Sequence, residues 1–157
     1  MRYENRETPG TFARKILEEL DLEIKAENIL PLLDTYQDGG IDEYVTLDRE
    51  EYRIISKDII DDVLIDELKA DPYILGSFAD WVLADTLDIP LYVIQALQES
   101  ENFETLGNWV IDVDKVKDLA KIYIQHDGYG HHFAHYDGYE HYIPMYGIED
   151  IYIFRVG

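Results

Sequence analysis

The feature that most constrains this chain is the interleaving of its acidic residues with apolar and aromatic ones. The sequence has 34 acidic and 13 basic residues, a formal net charge of -21, yet 46% of its 157 residues are hydrophobic. Disordered acidic tails form uninterrupted blocks of like charge with few aromatic residues. Here Ile, Leu, Val, Tyr and Trp separate the acids. The sequence therefore predicts a folded acidic surface on a single domain, residues 1–157.

The acidic charge is concentrated in the middle of the chain. Residues 41–104 contain seventeen acids and four bases, a net charge of -13. Nucleic acids and anionic membranes attract clustered Lys and Arg side chains, so this balance argues against both as direct partners. The absence of cysteine excludes disulfides, thiolate catalysis and Cys-based zinc sites. No apolar run approaches the ~18 residues of a membrane span and no signal peptide is recognisable, so a cytoplasmic protein is expected.

Helical periodicity dominates the chain up to about residue 125. Thr11 is a plausible cap for a first helix, and a second short helix fits Ala26–Tyr36, with Pro31 as an interruption. Residues 41–55 suit strands as well as helix. The first part of the fold is therefore expected to be mainly helical, over about residues 10–125.

An acidic amphipathic helix is predicted after Ser56, ending near Ala70. Steps of 100° place apolar residues on one side, which we expect to be buried: Ile60, Val63 and Leu64. The other side carries the aspartates Asp58, Asp61, Asp62 and Asp66, which we expect to face solvent. Like charges one turn apart, as in Asp58, Asp62 and Asp66, cost a helix about 0.2–0.5 kcal/mol per pair. Repeated acceptance of this cost favours a use for the charge.

The segment Leu83–Leu97, with the pattern LAxxLxIPxxVxxAL, resembles the helix-turn-helix of transcriptional regulators. In that family the second helix reads DNA with Arg, Lys, Asn or Gln. The corresponding exposed positions here contain no base: Leu91, Tyr92, Gln95, Gln98 and Glu99. Aspartates flank the unit, namely Asp80, Asp85 and Asp88. We therefore expect a structural helical hairpin that does not bind DNA, with Trp81 facing the core.

The periodicity changes to that of strands near residue 130. His131–Tyr136, Asp137-Gly138 and Tyr139–Ile143 predict a β-hairpin over residues 131–143 with a type I′ turn, a positive φ at Gly138 and Phe133 opposite Tyr142. A further strand is expected over residues 151–156. The predicted fold class is α+β, with a mainly helical N-terminal and central part and a small C-terminal antiparallel β-sheet over about residues 130–157.

All five histidines lie between positions 126 and 141. A metal site could be built from His131, His135 and Glu140, since imidazole and carboxylate suit zinc or non-haem iron. However, residues i and i+4 of one strand lie about 13 Å apart, too far for one ion. We expect the histidines to pack on the hairpin, with no metal and no cofactor. No H-E-x-x-H or G-x-S-x-G motif and no Gly-rich phosphate loop is present, so an enzyme is not expected.

The C-terminal segments Gly130–Glu140 (GHHFAHYDGYE) and Tyr152–Val156 (YIFRV) resemble the tail of small acidic accessory proteins of phages and mobile elements. Ile94–Glu99 (IQALQE) and Leu106–Trp109 (LGNW) resemble the same group. Such proteins include antirestriction and anti-CRISPR proteins, several of which occupy the DNA-binding surface of a host nuclease. The resemblance implies an inhibitor that acts in the host cytoplasm.

The leading hypothesis is therefore a nucleic-acid mimic that binds the basic surface of a host defence nuclease, such as a Cas effector or a restriction enzyme. The expected partner-binding residues are Asp58, Asp61, Asp62, Asp66, Asp80, Asp85 and Asp88. The alternatives are an accessory protein with a different protein partner and a small metal-binding enzyme that uses His and carboxylate ligands. The sequence does not specify an oligomeric state.

Overall fold

A computed structural model describes residues 6–157, and the chain forms two compact units. Unit 1 contains the chain up to Ile60 together with Asp127–Gly157, and unit 2 is the intervening segment Asp61–His126. The predicted α+β class is confirmed, since helices accompany one four-stranded antiparallel sheet. Within the described residues, none of the helices has the length and apolar character that crossing a membrane requires.

The elements follow one another along the chain. They are α1 (Pro9–Glu19), α2 (Ala26–Thr35), β1 (Asp42–Leu47), β2 (Glu50–Ser56), α3 (Ile60–Lys69), α4 (Pro72–Gly76), α5 (Asp80–Leu87), α6 (Leu91–Glu99), α7 (Phe103–Asp112), α8 (Val116–Asp127), α9 (Gly130–Phe133), β3 (His141–Ile143) and β4 (Ile151–Arg155). The helix predicted over residues 26–36 and the strand predicted over 151–156 are confirmed to within a residue or two at each end.

Unit 1 is a sheet with two helices on its apolar face. The strand order is β1-β2-β4-β3 with antiparallel neighbours throughout. Because side chains alternate across a strand, one face supplies a continuous apolar layer. Its core with α1 and α2 includes Phe12, Ile16, Leu17, Leu32, Val45, Leu47, Ile54, Ile143, Ile151 and Ile153. The cap of α1 is Thr8 and not Thr11, which instead returns the bond in a reciprocal capping box.

Two strands lie within the part that was predicted to be mainly helical. β1 and β2 form a hairpin, with Asp48 and Arg49 between them at φ values of 50° and 67°. This resolves the ambiguous stretch 41–55 in favour of strands. Unit 1 is therefore built from both the N-terminal and the C-terminal segments of the chain. The two units do not coincide with the predicted helical part over about residues 10–125 and β module over about residues 130–157.

The hairpin predicted over residues 131–143 is wrong. Gly130–Phe133 is the helical turn α9, and only His141–Ile143 forms a strand, which pairs with β4. Phe133 packs on Phe154, with ring centroids 5.1 Å apart, whereas Tyr142 packs on Tyr152. Gly138 does have the predicted positive φ, 68°, but its N–H donates to the carbonyl of Ala134 in a turn that follows α9.

Unit 2 is a small helical domain built on close helix contacts. Its buried apolar residues are Leu64, Leu68, Leu75, Val82, Leu83, Ile94, Leu106, Val110, Val116, Leu119 and Ala120. The tightest approach is between α4 and α7, where Gly76 faces the backbone of Phe103 and Gly107 faces the backbone of Pro72. A Cβ built on Gly107 would lie 1.8 Å from the Pro72 carbonyl oxygen. Both glycines are therefore required by the packing.

Candidate partner-binding surface

The seven aspartates expected to bind a partner divide between the two units. Asp58 belongs to unit 1, and the other six belong to unit 2. Asp80 is half-buried, and the remaining six are exposed.

Asp58 does not lie on the acidic helix. Ser56 is the last residue of β2, and its hydroxyl accepts the N–H of Ile41 at 2.8 Å, so it does not cap a helix. Helix α3 begins at Ile60, four residues later than predicted. The carboxylate of Asp58 instead accepts the N–H of Gly40, with distances of 3.1 and 3.2 Å to its two oxygens. Asp58 therefore has a local structural role in the turn before β1.

The acidic side of α3 is exposed as predicted. Asp62 and Asp66 are exposed, Ile60 and Leu64 are buried, and Val63 is half-buried. Because Asp58 lies outside the helix, only one pair of the predicted series Asp58, Asp62 and Asp66 remains one turn apart on α3, namely Asp62 and Asp66. Asp61 and Asp62 lie in the first turn, where the helix dipole favours negative charge. The repulsion between like charges on α3 is therefore smaller than the sequence indicated, and it gives less reason to infer a special use of this helix.

Asp61 also has positive charge near it. It lines a small cavity of about 70 Å³ together with Lys117 and Lys121 of α8. Lys115, another base of unit 2, lies 3.6 Å from Asp118. Two lysines of α8 thus lie beside an acid of α3, and Lys115 lies beside an acid of α8.

The α5–α6 hairpin carries three of the predicted aspartates. The carboxylate of Asp80 accepts the side-chain N–H of Gln95 at 3.1 Å, which places the first turn of α5 beside the middle of α6. Asp85 is exposed on α5. Asp88 ends α5 in the left-handed conformation, with φ 54° and ψ 47°, and its side chain is exposed. Among residues 6–157, the carboxylates of Asp85 and Asp88 have no hydrogen-bond or ion-pair partner.

The exposed aromatic residues of this hairpin were not all predicted. Trp81 is 57% exposed, so the expectation that it faces the core is wrong, and its ring lies edge-on to that of His126. Tyr92 is 73% exposed and Leu91 42%. Gln98 has a structural role, since its side chain donates to the carbonyls of Gly76 and Phe78. The surface of α6 therefore has no Lys or Arg, and the amide of its exposed Gln95 is bound to Asp80.

The strongest charge asymmetry of unit 2 lies between Lys69 and Lys115. This stretch contains nine acids and neither Lys nor Arg. Seven of the nine are exposed, namely Asp85, Asp88, Glu99, Glu101, Glu104, Asp112 and Asp114. The sequence itself shows this stretch without Lys or Arg. The net charge counted over residues 41–104 did not reveal it, because that range also includes part of unit 1, where bases lie among the acids. The structure thus moves the centre of the candidate surface from α3 to α5, α6 and α7.

The residues of the alternative metal site have other contacts. Nε2 of His135 lies 3.1 Å from the carbonyl oxygen of His132, and a carboxylate oxygen of Glu140 accepts the N–H of Tyr129 at 2.8 Å. Over the part of the chain that the structure describes, no group of three or more His, Asp and Glu residues is arranged to hold a metal ion. His131, His135 and Glu140 therefore do not form a metal centre in this structure.

Tyr142 is expected to ionise at a higher pH than an ordinary tyrosine. Its hydroxyl donates to the Asp150 carboxylate, which is the main cause that raises its pKa to about 12. The raised pKa stabilises the fold fully below the ordinary value of 10, and this contribution is lost as the pH rises through 12. The pH titration of tyrosinate absorbance should resolve a tyrosine that ionises near pH 12 in the folded protein.

The Asp150→Asn variant should lower the pKa of Tyr142 towards 10, because the carboxylate that accepts the hydrogen bond of its hydroxyl is lost. Asp34→Asn, which changes an exposed acid distant from Tyr142 in the sequence, should leave this pKa unchanged. A tyrosine that still ionises near pH 12 in Asp150→Asn would contradict the assignment to Tyr142, since burial raises the pKa of Tyr52 independently of Asp150.

Comparison of the chain with protein-family models, with curated proteins and with solved structures finds no match to any of them.

Proposed function

We propose that this protein is a binding protein, and not an enzyme, whose acidic unit 2 occupies the basic nucleic-acid-binding surface of a protein partner. The partner that fits this chemistry is a host defence nuclease, such as a Cas effector or a restriction enzyme, inhibited by a phage or mobile-element protein. The observation that carries the proposal is the stretch between Lys69 and Lys115, which contains nine acids and no base.

Electrostatic complementarity explains why such a surface suits a nucleic-acid-binding partner. A groove that binds phosphates presents clustered Lys and Arg side chains. Exposed carboxylates on rigid helices can take the place of the phosphates and steer the encounter over a range set by the Debye length, about 8 Å at physiological salt. A surface with both signs of charge intermixed, as in much of unit 1, provides less of this steering.

Solubility alone is the simpler explanation for acidic residues, and one detail argues against it as the whole account. Charge for solubility needs no particular position, and acids beside bases serve as well as isolated ones. In unit 2 the bases lie at Lys69 and along α8, which leaves the carboxylates from Asp85 to Asp114 without a base in their own stretch of chain. This separation supports a directed use of the negative charge.

The first test is inhibition measured in a purified system. DNA cleavage and DNA binding by a Cas effector and by a restriction enzyme are measured with and without the protein, at low and high salt. The proposal expects competition with DNA that weakens steeply as salt rises, because the contacts are mainly electrostatic. The protein alone should not retard duplex DNA at physiological salt. Competition that is independent of salt, or retardation of DNA by the protein itself, would count against the proposal.

The double variant Asp85→Asn/Asp88→Asn should weaken partner binding without unfolding the protein. Both side chains are exposed, and Asn tolerates the left-handed conformation of residue 88. Two exposed ion pairs at about 0.2–1 kcal/mol each correspond to a loss of about 2- to 30-fold at low salt, which should shrink at high salt. The dissociation constant for the inhibited nuclease is the measurement.

A matched control makes the same change of net charge in the other unit. Asp34→Asn/Glu51→Gln removes two exposed carboxylates from unit 1. It should leave binding within about twofold. Equal loss in the two double variants would indicate that net charge matters and that the α5–α6 surface does not.

A further inference from the structure

Three large apolar side chains on α5 and α6 of unit 2 are exposed to solvent. Trp81 is 57% exposed, Tyr92 73% and Leu91 42%. Single exposed apolar residues are normal on a protein surface. However, Trp81 and Tyr92 lie on neighbouring helices and expose much of their rings. Tryptophan and tyrosine are among the side chains most enriched where proteins bind partners.

These rings lie close to carboxylates on the same helices. Asp85 follows Trp81 by four residues on α5, so the two side chains are neighbours on one helix face. On α6, Glu99 follows Tyr92 by seven residues and lies on the same side of the helix, with Gln95 between them. The hydrogen bond between Asp80 and Gln95 holds α5 and α6 together at this position. The surface therefore combines ring faces and negative charge on two joined helices.

We propose that this aromatic and acidic surface makes unit 2 selective for arginine, so that an arginine-rich segment of the protein partner docks on α5 and α6. This inference rests on the proposed function and names the side chain that the surface recognises. One guanidinium stacks on Trp81 and pairs with Asp85 one turn away. Separate guanidinium groups stack on Tyr92 and pair with Glu99, since these two side chains lie about 10 Å apart along α6.

The choice of arginine follows from its chemistry. A cation must come from the partner, since residues 70–114 supply none. A guanidinium is planar, weakly hydrated and able to stack on a ring while it forms two parallel bonds to a carboxylate. A lysine ammonium is a strongly hydrated point charge that gains from the carboxylates and little from the ring faces. A surface of carboxylates alone would treat the two side chains nearly alike.

The test uses two peptides that are identical except that every arginine of one is a lysine in the other. Their affinities for the full chain are measured by calorimetry at physiological salt. We expect the arginine peptide to bind at least about fivefold more tightly, since each stacked ring contributes about two- to fivefold. Trp81→Gln and Tyr92→Gln should each remove about that much affinity for the arginine peptide and leave the lysine peptide nearly unchanged. Tyr146→Gln, a change of an equally exposed tyrosine in unit 1, should affect neither.

The outcomes separate this inference from the proposed function. If both peptides bind equally and Asp85→Asn/Asp88→Asn weakens both, arginine selectivity is overturned while the acidic binding surface stands. If neither peptide binds, both are overturned. If the arginine preference survives in Trp81→Gln and Tyr92→Gln, the assignment to these rings is overturned.

Discussion

The Gly107→Ala variant is expected to lose the packed structure of unit 2, because the added methyl group would overlap the backbone of another helix. The built Cβ lies 1.8 Å from the carbonyl oxygen of Pro72. Backbone cannot rotate away as a side chain can, so α4 and α7 must separate. We expect a loss of about 3 kcal/mol or more in the free energy of unfolding, at the upper end of overpacking effects. Gly76→Ala should act similarly, since its Cβ would lie 1.7 Å from the carbonyl oxygen of Phe103.

Urea unfolding followed by tryptophan fluorescence measures this loss directly, because both tryptophans, Trp81 and Trp109, lie in unit 2. Thr105→Ala, an exposed position on the same helix, should change the free energy of unfolding by less than about 0.5 kcal/mol. Gly10→Ala in unit 1, where the nearest atom to the added Cβ is 4.0 Å away, should stabilise the protein by about 0.5–1 kcal/mol when unfolding is followed by far-ultraviolet circular dichroism. A stable Gly107→Ala protein would show that α4 and α7 are not in close backbone contact.

The Phe133→Ala variant is expected to destabilise unit 1 by about 3–5 kcal/mol, the usual cost of removing a buried phenylalanine. Phe133 is 1% exposed, and it packs against Phe154 of β4. The guanidinium of Arg53 lies 5.0 Å from its ring centroid and is held by Asp42 through bonds of 2.8 and 3.0 Å. Removal of the ring therefore leaves a cavity beside a buried cation.

The measurement is urea unfolding followed by far-ultraviolet circular dichroism. Phe133→Leu keeps most of the apolar volume and should cost about 1.5 kcal/mol or less. Tyr139→Ala, at a side chain 58% exposed, should have little effect. Equal stability of Phe133→Ala and Tyr139→Ala would show that α9 does not close over the sheet.

Much of the fold could be predicted because its signals are local. The helix after residue 60 and the one over residues 26–35 follow from periodicity, and the exposure of Asp62 and Asp66 follows from the same pattern. The strand over residues 151–155 is rich in apolar and aromatic residues, as strands are. Each of these depends on residues within a few positions of one another.

The predictions were wrong where one short sequence motif is compatible with two different local conformations. Asp137-Gly138 suits a type I′ hairpin turn, but it also suits the loop found here, in which the Asp137 carboxylate accepts the N–H of Tyr139 at 2.9 Å. Ser56 suits a helix cap, but the pairing of β2 with β4 takes it into the sheet. That pairing joins residues nearly a hundred positions apart, which no short sequence window contains.

The candidate surface was predicted in part for a similar reason. Exposure of the acids follows from their polarity, and six of the seven predicted aspartates do share unit 2. The exposure of Trp81 depends instead on which side of α5 the rest of unit 2 covers. The sequence alone does not show whether an apolar side chain lies in the core or is exposed to solvent.

The order of strands in unit 1 has a consequence for synthesis of the chain. β2 pairs on one side with β1, which precedes it directly, and on the other with β4, which is made after the other three strands. During translation, β2 therefore waits with one edge unpaired while all of residues 57–150 emerge from the ribosome. An apolar strand with a free edge is a template for pairing with another chain. Unit 2 is one continuous segment of the chain, so it can fold during this interval and shorten the effective loop that β4 must close. The synthesis of the helical insert thus lengthens the wait of β2, whereas its folding lowers the entropic cost of the final strand pairing.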